Sequence, residues 1–229
     1  MIERTVEPEL MTEAEQARAY AEADFESAHG QYPVLFREKF PACPSTGHAL
    51  DLGCGPGDVT RRFARALPGW IFDAVDGSPA MLAEARKRTT EPINYIQGVI
   101  PGVPIPRARY DLVLSSSLLH HLHDPAVLWK TVRQYTGPGS MIFILDLRRP
   151  DSPEAARRLV EQYSTGEPDI LRRDFYNSLL AAFAPDEVRG QLDQAGLPEL
   201  RVEVISDRHL VVWGVVRTPS PYASTRNAK

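Results

Sequence analysis

One short stretch in the first third of the chain restricts the fold more than any other feature. Residues 49–67, ALDLGCGPGDVTRRFARAL, connect an apolar run to a segment with helical spacing through a turn that has glycine at alternate positions. Strand, glycine turn and helix in this order form the ligand-binding corner of an open α/β sheet, where backbone amides and the positive helix end face a polar or anionic group. The stretch therefore predicts an α/β fold with a ligand at the end of its first strand.

The rest of the chain continues this alternation. Short apolar runs predict strands at 49–52, 70–75, 93–97, 110–114 and 141–145, and helical spacing predicts helices at about 58–67, 78–88 and 125–135. Continuous buried strands separated by helices indicate a parallel sheet. Two later runs, 200–205 and 209–216, are joined by a turn so short that they must pair antiparallel. We expect a doubly wound, seven-stranded, mostly parallel sheet whose last strand is antiparallel.

Helical segments flank this predicted sheet. Residues 12–28 and 32–40 favour helices and predict an N-terminal helical cap over 1–45. The main domain is predicted at 46–216, and a polar, flexible tail at 217–229. After the fifth strand come three proline-led helices at 153–163, 169–183 and 186–195. The part over 148–183 is longer than a simple crossover requires, so we expect a helical lid there.

Composition excludes several classes of protein. The chain has 229 residues, enough for one domain with additions, and its net charge of −4 argues against a nucleic-acid partner. No apolar run approaches the roughly 18 residues of a membrane span, and the acidic start lacks the form of a signal peptide. A cytoplasmic location is the default expectation. The two cysteines are too few for a disulfide scaffold or a four-thiolate metal site.

The spacing of the glycines distinguishes between the ligands that use such a turn. The dinucleotide fingerprint requires glycine at position 58, which is Asp58, and no lysine lies between Lys39 and Lys87 for a Walker A loop. None of the tyrosines is followed by lysine four residues later, the pair that one family of nicotinamide enzymes needs. These observations weaken the phosphate-binding interpretations.

An acidic residue, Asp76, ends the second predicted strand. A carboxylate at that position can accept hydrogen bonds from both hydroxyls of a ribose. Asp76 can equally cap the helix that begins near Ser78, since aspartate is a common N-cap. Together with the glycine turn, we favour the ribose.

The sequence resembles a known family at these motifs. HALDLGCGPGDVTRRFA and DAVDGSPAMLAEARKR are similar to motifs I and II of class I S-adenosylmethionine-dependent methyltransferases, closest to the ubiquinone/menaquinone-biosynthesis-like group that acts on small molecules. YDLVLSSSLLHHLHDPAVLWKTVRQYTGPGSMIFILD resembles the fourth strand, the following helix and the fifth strand of the same family. The likeness covers about residues 46–147 and the closing strand pair.

The resemblance implies S-adenosylmethionine (SAM) as cofactor and S-adenosylhomocysteine (SAH) as product. The residues that it implies at the cofactor are Tyr20, Gly53, Cys54, Gly55, Asp76, Gly77, Ser78, Met81, Gly98, Val99, Ser115 and Ser116. Many relatives carry an acid after the third strand for the adenine amino group, where this chain has Val99. Adenine recognition is then left to backbone groups, Gln97 or apolar contact.

Histidines follow the fourth predicted strand in the segment HHLH, at 120, 121 and 123. His120 lies just past the strand tip and is the candidate general base, whereas His121 can point into packing. The three histidines do not share one helix face and no cysteine or carboxylate cluster accompanies them in the sequence, so we expect no metal.

The acceptor side is predicted from the region after the fifth strand. Arg148 and Arg149 follow that strand at the carboxyl edge of the sheet, and an arginine there can clamp an anionic acceptor or lie on a solvated surface. We expect at least one of the two to face the acceptor. Tyr163 and Tyr176 from the lid and Tyr32 from the N-terminal cap are further candidates for the acceptor pocket.

The sequence thus predicts methyl transfer from SAM to a small-molecule acceptor, anionic or aromatic. One alternative is a non-catalytic SAM- or SAH-binding module or regulator on the same fold, and a second is a protein or RNA methyltransferase. A nicotinamide oxidoreductase ranks last because its spacing and its catalytic pair are missing. The acceptor, its attacking atom and the choice between monomer and homodimer are left open.

Overall fold

The computed structural model describes residues 2–217, and the tail expected at 217–229 lies outside them except for Arg217. Seven strands form one sheet in the order β3-β2-β1-β4-β5-β7-β6. The strands are β1 (Gly47–Leu52), β2 (Trp70–Asp76), β3 (Ile93–Gln97), β4 (Leu112–Ser116), β5 (Met141–Leu147), β6 (Arg201–Val204) and β7 (His209–Val215). The predicted seven-stranded α/β sheet is confirmed.

Strand direction decides which residues meet at the ligand edge. The strands β1 to β5 are mutually parallel, and β7 runs antiparallel to both β5 and β6. In this register Leu147, the last residue of β5, pairs with His209, the first residue of β7. The carboxyl ends of the parallel strands and the amino end of β7 therefore share one edge of the sheet.

Helices cover both faces of the sheet. They are α1 (Ala14–Glu22), α2 (Glu26–His29), α3 (Tyr32–Lys39), α4 (Asp58–Ala66), α5 (Pro79–Arg88), α6 (Ala126–Tyr135), α7 (Pro153–Tyr163), α8 (Asp169–Ala181) and α9 (Pro185–Ala195). A short 3₁₀ turn, Leu119–His121, follows β4. No helix within residues 2–217 is long and apolar enough to cross a membrane.

Two helices end earlier than the sequence predicts. The helix expected over 12–28 is divided into α1 and α2, because Ala23 is extended and the carboxylate of Asp24 accepts the backbone N–H of Glu26. A short aspartate favours such a turn over helix continuation. The helix expected to reach residue 183 ends at Ala181, since Phe183 instead bridges to Arg148 beside the sheet.

Alternate residues of the strands enter two separate cores. Val113 belongs to the core on one face, together with Trp129 of α6, whereas Leu112 and Leu114 belong to the core on the other face, together with Phe36 of α3. This alternation is the period of a strand buried on both faces. The helices after β5 add a smaller cluster of their own, in which α7 and α8 pack against Leu147.

The segment before α1 lies across the carboxyl edge of the sheet. We call residues 2–11 the strap. The backbone N–H of Thr5 donates to the carbonyl of Leu180 at the end of α8, and the Arg4 guanidinium donates to the carbonyls of Ala181, His120 and Leu122. The strap is thereby fastened to both α8 and the turn that follows β4.

Candidate functional site

A cavity of about 410 Å³ opens at this edge of the sheet. Its wall combines the glycine turn after β1, the ends of β2 and β4, the turn containing His120, the start of β7, and parts of the strap, α2, α7 and α8. It is the place where open α/β sheets bind their ligands. Its lining includes most of the residues that the sequence predicts for the cofactor.

The glycine turn supplies an open backbone surface. Gly55 has φ +52°, and a Cβ atom built there would meet nothing within 4 Å. The space next to this backbone is therefore the cavity itself. Gly57 also has a positive φ, and α4 begins directly after it at Asp58. The N–H groups of the first turn of α4 thus lie beside the cavity, as they do at other anion- and nucleotide-binding sites.

Asp51 is buried at the end of β1 and also lines the cavity. Its Oδ2 accepts the hydroxyl of Thr60 at 2.5 Å, whereas Oδ1 is buried without a hydrogen-bond partner among the described residues. Burial, assisted by the negative charge of Asp76, raises the pKa of Asp51 to about 7. An unpartnered buried oxygen beside a cavity is costly unless a ligand satisfies it, and a cationic ligand group would do so.

Asp76 ends β2 with one backbone contact on each carboxylate oxygen. Oδ2 accepts the N–H of Gly55 at 2.7 Å and Oδ1 accepts the N–H of Ser78 at 2.8 Å. The cap of α5 is Ser78, whose hydroxyl accepts the N–H of Met81. Burial raises the pKa of Asp76, and the two backbone hydrogen bonds oppose that shift. The carboxylate is held in place and keeps further lone pairs for a pair of hydroxyls.

Beyond Asp76 the cavity wall is apolar. Val99 is 53% exposed and lines the cavity together with Leu10 of the strap. A Cβ atom placed on Gly77 would lie 2.6 Å from Leu10 and 3.1 Å from Val99, so only glycine fits between them. Of the options left open for adenine, this part of the structure offers apolar contact, because Gln97 is not part of the cavity wall.

Nearly all residues predicted at the cofactor line this one cavity. They are Tyr20, Gly53, Cys54, Gly55, Asp76, Gly77, Ser78, Met81, Gly98, Val99 and Ser116. Ser115 is a correction: it is buried below the strand tip and its hydroxyl donates to the carbonyl of Leu52 at 2.6 Å. Ser117, two residues after Ser115, does line the cavity. Its backbone is left-handed, with φ +56°, which is uncommon for serine.

His120 faces the cavity from the turn after β4 and is 2% exposed. Its Nδ1 lies 2.5 Å from Oδ1 of Asp146, a buried residue of β5. Burial alone would lower the pKa of His120, but the charge and the hydrogen bond of Asp146, with a contribution from Glu7, outweigh burial and raise it. Because a carboxylate can only accept, Nδ1 carries a hydrogen and Nε2 is the atom that exchanges a proton.

Glu7 of the strap brings a carboxylate to the histidines. Its Oε1 lies 3.5 Å from Nε2 of His120 and 3.3 Å from Nδ1 of His121, and accepts the hydroxyl of Ser178 at 2.9 Å. The neighbouring sequence has no carboxylate cluster, but the strap brings one carboxylate to these histidines from a distant part of the sequence. One ligand atom from each of Glu7, His120 and His121 lies within 4.8 Å of the others, a geometry that could hold a metal ion.

Neither Arg148 nor Arg149 lines the cavity, so the expectation that one of them faces the acceptor is wrong. The Nε of Arg148 donates to the carbonyl of Asp207 at 3.1 Å. Arg149 is buried on the side of α9, where it donates to the carbonyl of Ala182 and forms an ion pair with Glu187 at 2.6 Å. Both guanidinium groups have structural partners.

Only one of the three tyrosines predicted at the acceptor lines the cavity. Tyr163 lines the cavity, and its hydroxyl donates to Asp207 at 2.7 Å. Tyr32, the first residue of α3, is instead buried in the core, and its ring is roughly perpendicular to that of His209. Tyr176 packs in the cluster of α7 and α8, where Arg157 lies over its ring. Tyr32 and Tyr176 are thus corrections.

Other polar residues also line the cavity wall, and those at the start of β7 were missed by the sequence analysis. His29 lies 2.8 Å from Asp58, whose hydrogen bonds to His29 and Arg62 outweigh burial and lower its pKa to about 2. Arg208 and His209 enter from the start of β7. The sequence did contain a signal for Arg208 and His209: the last strand is predicted to be antiparallel, and this direction places its first residues at the ligand edge of the sheet.

Comparison with known proteins gives the chemistry of this site. Residues 49–139 match the model of a family described as a methyltransferase domain. An uncharacterized methyltransferase of Mycobacterium bovis is 25% identical over 192 residues, which is 82% of this chain and 95% of that protein. The trans-aconitate 2-methyltransferase of Mycobacterium ulcerans is 42% identical over 86 residues, covering 36% of this chain and 31% of the relative.

Solved structures share the fold at lower identity. The plantazolicin methyltransferase BpumL, in complex with a substrate analogue and SAH, has a TM-score of 0.64 and 17% identity over 89% of this chain and 85% of that chain. Human N-acetylserotonin methyltransferase in complex with SAM has a TM-score of 0.63 and 18% identity over 90% of this chain and 56% of that chain. The family match and the curated relatives identify a SAM-dependent methyltransferase. The sheet order and the solved structures show the fold of the class I enzymes.

Proposed function

We propose that the protein transfers the methyl group of SAM to a small-molecule acceptor bound in the same cavity. The observation that carries the proposal is the joint wall of this cavity, in which the glycine turn, Asp51 and Asp76 lie on one side and His120 with Asp146 behind it on the other. Relatives with named acceptors include enzymes for trans-aconitate, plantazolicin and N-acetylserotonin. An acceptor of this size class, anionic or aromatic, suits the cavity.

The residues present fit the cofactor. The unpartnered Oδ1 of Asp51 would accept from its ammonium group, and Asp76 would accept from its ribose hydroxyls. The backbone beside Gly55 leaves room for its amino-acid part, while Val99 and Leu10 would contact adenine. When bound, SAM supplies an electrophilic methyl group on a sulfonium. These roles suit any SAM enzyme of the class, and membership of the ubiquinone/menaquinone-like group is part of the proposal.

The protein's own contribution to the reaction is alignment, exclusion of water and proton removal. Methyl transfer is an in-line displacement, so holding the acceptor against the cofactor supplies much of the rate. The strap and the helices α7 and α8 line the cavity and would limit the access of water to a bound acceptor. Nε2 of His120 would receive the acceptor's proton, and Asp146 would hold the resulting imidazolium. Because its pKa is raised, His120 is a stronger base than a free histidine and holds its proton to a higher pH.

We propose that this chemistry proceeds without a metal. Ser178 already donates to Glu7, and the proton that Asp146 favours on His120 competes with any metal ion for Nε2. If a metal were required, dialysis against a chelator would abolish turnover, and zinc would restore it.

The function is tested by incubating the protein with a cell extract and SAM labelled in its methyl group. Label in small metabolites is the expected result. Label in RNA or protein would identify a macromolecular acceptor instead, and absence of turnover with intact SAH binding would identify a cofactor-binding regulator. A thermal shift with SAH, compared with NAD and ATP, establishes cofactor binding independently, since only a true ligand stabilises the fold by mass action.

A further inference from the structure

The start of β7 places two nitrogen-bearing side chains on the cavity wall. Arg208 and His209 both line the cavity beside Tyr163. The register pairs Leu210 with Asp146, the residue whose carboxylate holds His120. The residue before Leu210, His209, pairs with Leu147. A group bound by these two side chains would lie in the same cavity as the candidate base.

Arg208 is a held and largely buried cation. Its side chain is 13% exposed and its guanidinium carbon lies 3.3 Å from the centre of the Tyr163 ring. Its Nη1 donates to Oδ1 of Asp207 at 3.1 Å, and the other oxygen of Asp207 accepts the Tyr163 hydroxyl. A guanidinium has five N–H donors in a planar fork, so the contact with Asp207 uses a small part of its capacity. Stacking on Tyr163 fixes the plane of that fork.

The hydrogen bonds around His209 determine its tautomer. The hydroxyl oxygen of Ser206 accepts the backbone N–H groups of Arg208 at 3.3 Å and His209 at 3.0 Å. With both lone pairs used, the hydroxyl hydrogen of Ser206 points to Nδ1 of His209, which lies 3.1 Å away. Nδ1 is thus an acceptor, and the proton of the neutral ring is on Nε2.

The ring of His209 is neutral at physiological pH. Burial lowers the pKa of His209 to about 4, and the positive charge of Arg208 adds to the effect. His209 is therefore a poor base in this cavity, and its Nε2 presents a fixed N–H donor. One cationic fork and one neutral donor, side by side, can satisfy a ligand group that only accepts hydrogen bonds.

We propose that Arg208 and His209 form a subsite that binds a carboxylate of the methyl acceptor. The inference rests on the proposed function and names its substrate class. A carboxylate carries one negative charge and two acceptor oxygens, which match one guanidinium and one imidazole N–H. A phosphate would bring more negative charge towards Asp207, which contacts Arg208, and towards the ionised Asp58 of the cavity wall. The carboxylate is held at β7 while the attacking atom of the acceptor faces His120.

The subsite is tested by equilibrium binding with SAH present at saturation. The probes are benzoate, cinnamate and fumarate, each compared with its amide, and phenyl phosphate. The wild-type protein is expected to bind at least one carboxylate about ten- to hundredfold more tightly than its amide, as expected for hydrogen bonds to a charged group. Arg208→Met should remove this preference, since methionine keeps an unbranched stem over Tyr163 but no charge.

Three variants complete the design. His209→Leu should weaken carboxylate binding, and His209→Gln should restore it in part because an amide N–H can take the place of Nε2–H. Arg148→Met is the matched control, because this arginine lies outside the cavity wall. Affinity for SAH should be unchanged in all variants. If the wild-type protein itself does not bind SAH, that result counts against the proposed function rather than against the subsite. Any of three results would overturn the subsite. The wild type could bind no carboxylate more tightly than its amide, the preference for the carboxylate could survive Arg208→Met, or the wild type could bind phenyl phosphate more tightly than the carboxylates.

Discussion

Asp51→Asn removes a charge from the cofactor side of the cavity while it keeps the shape of the side chain and an acceptor for Thr60. In the wild type Oδ1 of Asp51 is buried without a partner, and burial raises the pKa of this carboxyl to about 7. The free protein therefore carries a half-ionised group at neutral pH. A ligand ammonium would bind the ionised form, so cofactor affinity should follow the ionisation of Asp51.

The size of the effect follows from that pKa. About half of Asp51 is ionised at pH 7 and only a small fraction at pH 5.5, so wild-type affinity for SAH should fall by on the order of tenfold over this interval. The α-amino group of SAH stays protonated in this range, because a peptide α-amino group titrates at about 7.7–8.0 and the adjacent carboxylate of SAH favours the ammonium further. Asp51→Asn should bind SAH about ten- to hundredfold more weakly at pH 7 and without this pH dependence.

The same substitution should act in the opposite direction on the stability of the free protein. The pKa of Asp51 is raised from 3.8 to about 7, so its contribution to stability is fully present below about pH 3.8 and is lost as the pH rises through 7. Asparagine has no such loss. Between pH 5.5 and pH 8 the stability of Asp51→Asn relative to the wild type should therefore rise by about 2 kcal/mol.

Titration calorimetry with SAH at several pH values measures the first effect, and urea denaturation without ligand measures the second. Asp73→Asn is the matched control, because Asp73 is a buried aspartate of β2 that accepts from Asn94 and Tyr110 and is not part of the cavity wall. It should leave SAH affinity unchanged. Wild-type affinity in Asp51→Asn at pH 7, or the same pH dependence as in the wild type, would refute the assignment of the ammonium site to Asp51.

Three further substitutions test other parts of the cavity. Asp76→Ala should weaken SAH binding by about 1.5–3 kcal/mol in calorimetry, and an unchanged affinity would show that its contacts with Gly55 and Ser78 are purely structural. Gly55→Val should abolish SAH binding in a protein that circular dichroism shows to be folded, although the φ of +52° adds a stability cost of about 1–2 kcal/mol. In His120→Gln the rate of methyl transfer should fall while SAH affinity persists. The wild-type rate should rise with pH through a pKa above 6.5 and the variant should lack this rise; the same profile in both would exclude His120 as the base.

The sheet was predictable because its signals are local. Apolar runs, prolines and the glycine turn specify strands, helix starts and the ligand corner within a few residues of chain. The break between α1 and α2 was not predicted, because the competing hydrogen bond from the backbone N–H of Glu26 to the carboxylate of Asp24 is a local contact that helical periodicity does not show. Most residues that the resemblance implies at the cofactor line the cavity, since the strand tips that carry them follow from the same periodicity.

The acceptor side was less predictable because its contacts are long-range. The positions of Arg148 and Arg149 at the sheet edge follow from the sequence, but the direction of the Arg149 side chain is set by Glu187, a residue of α9. Similarly, Glu7 reaches His120 only after the strap has crossed the sheet edge. Residue spacing carries no information on such partners.

The strap lies across both halves of the cavity. Leu10 lies over Gly77 on the cofactor side, and Glu7 lies against His120 on the acceptor side, so a few consecutive residues cover both. Spent cofactor and methylated product would then leave through one shared opening event. We expect release to limit the turnover number, and a fusion partner attached to the amino terminus to alter the steady-state rate more than the single-turnover rate.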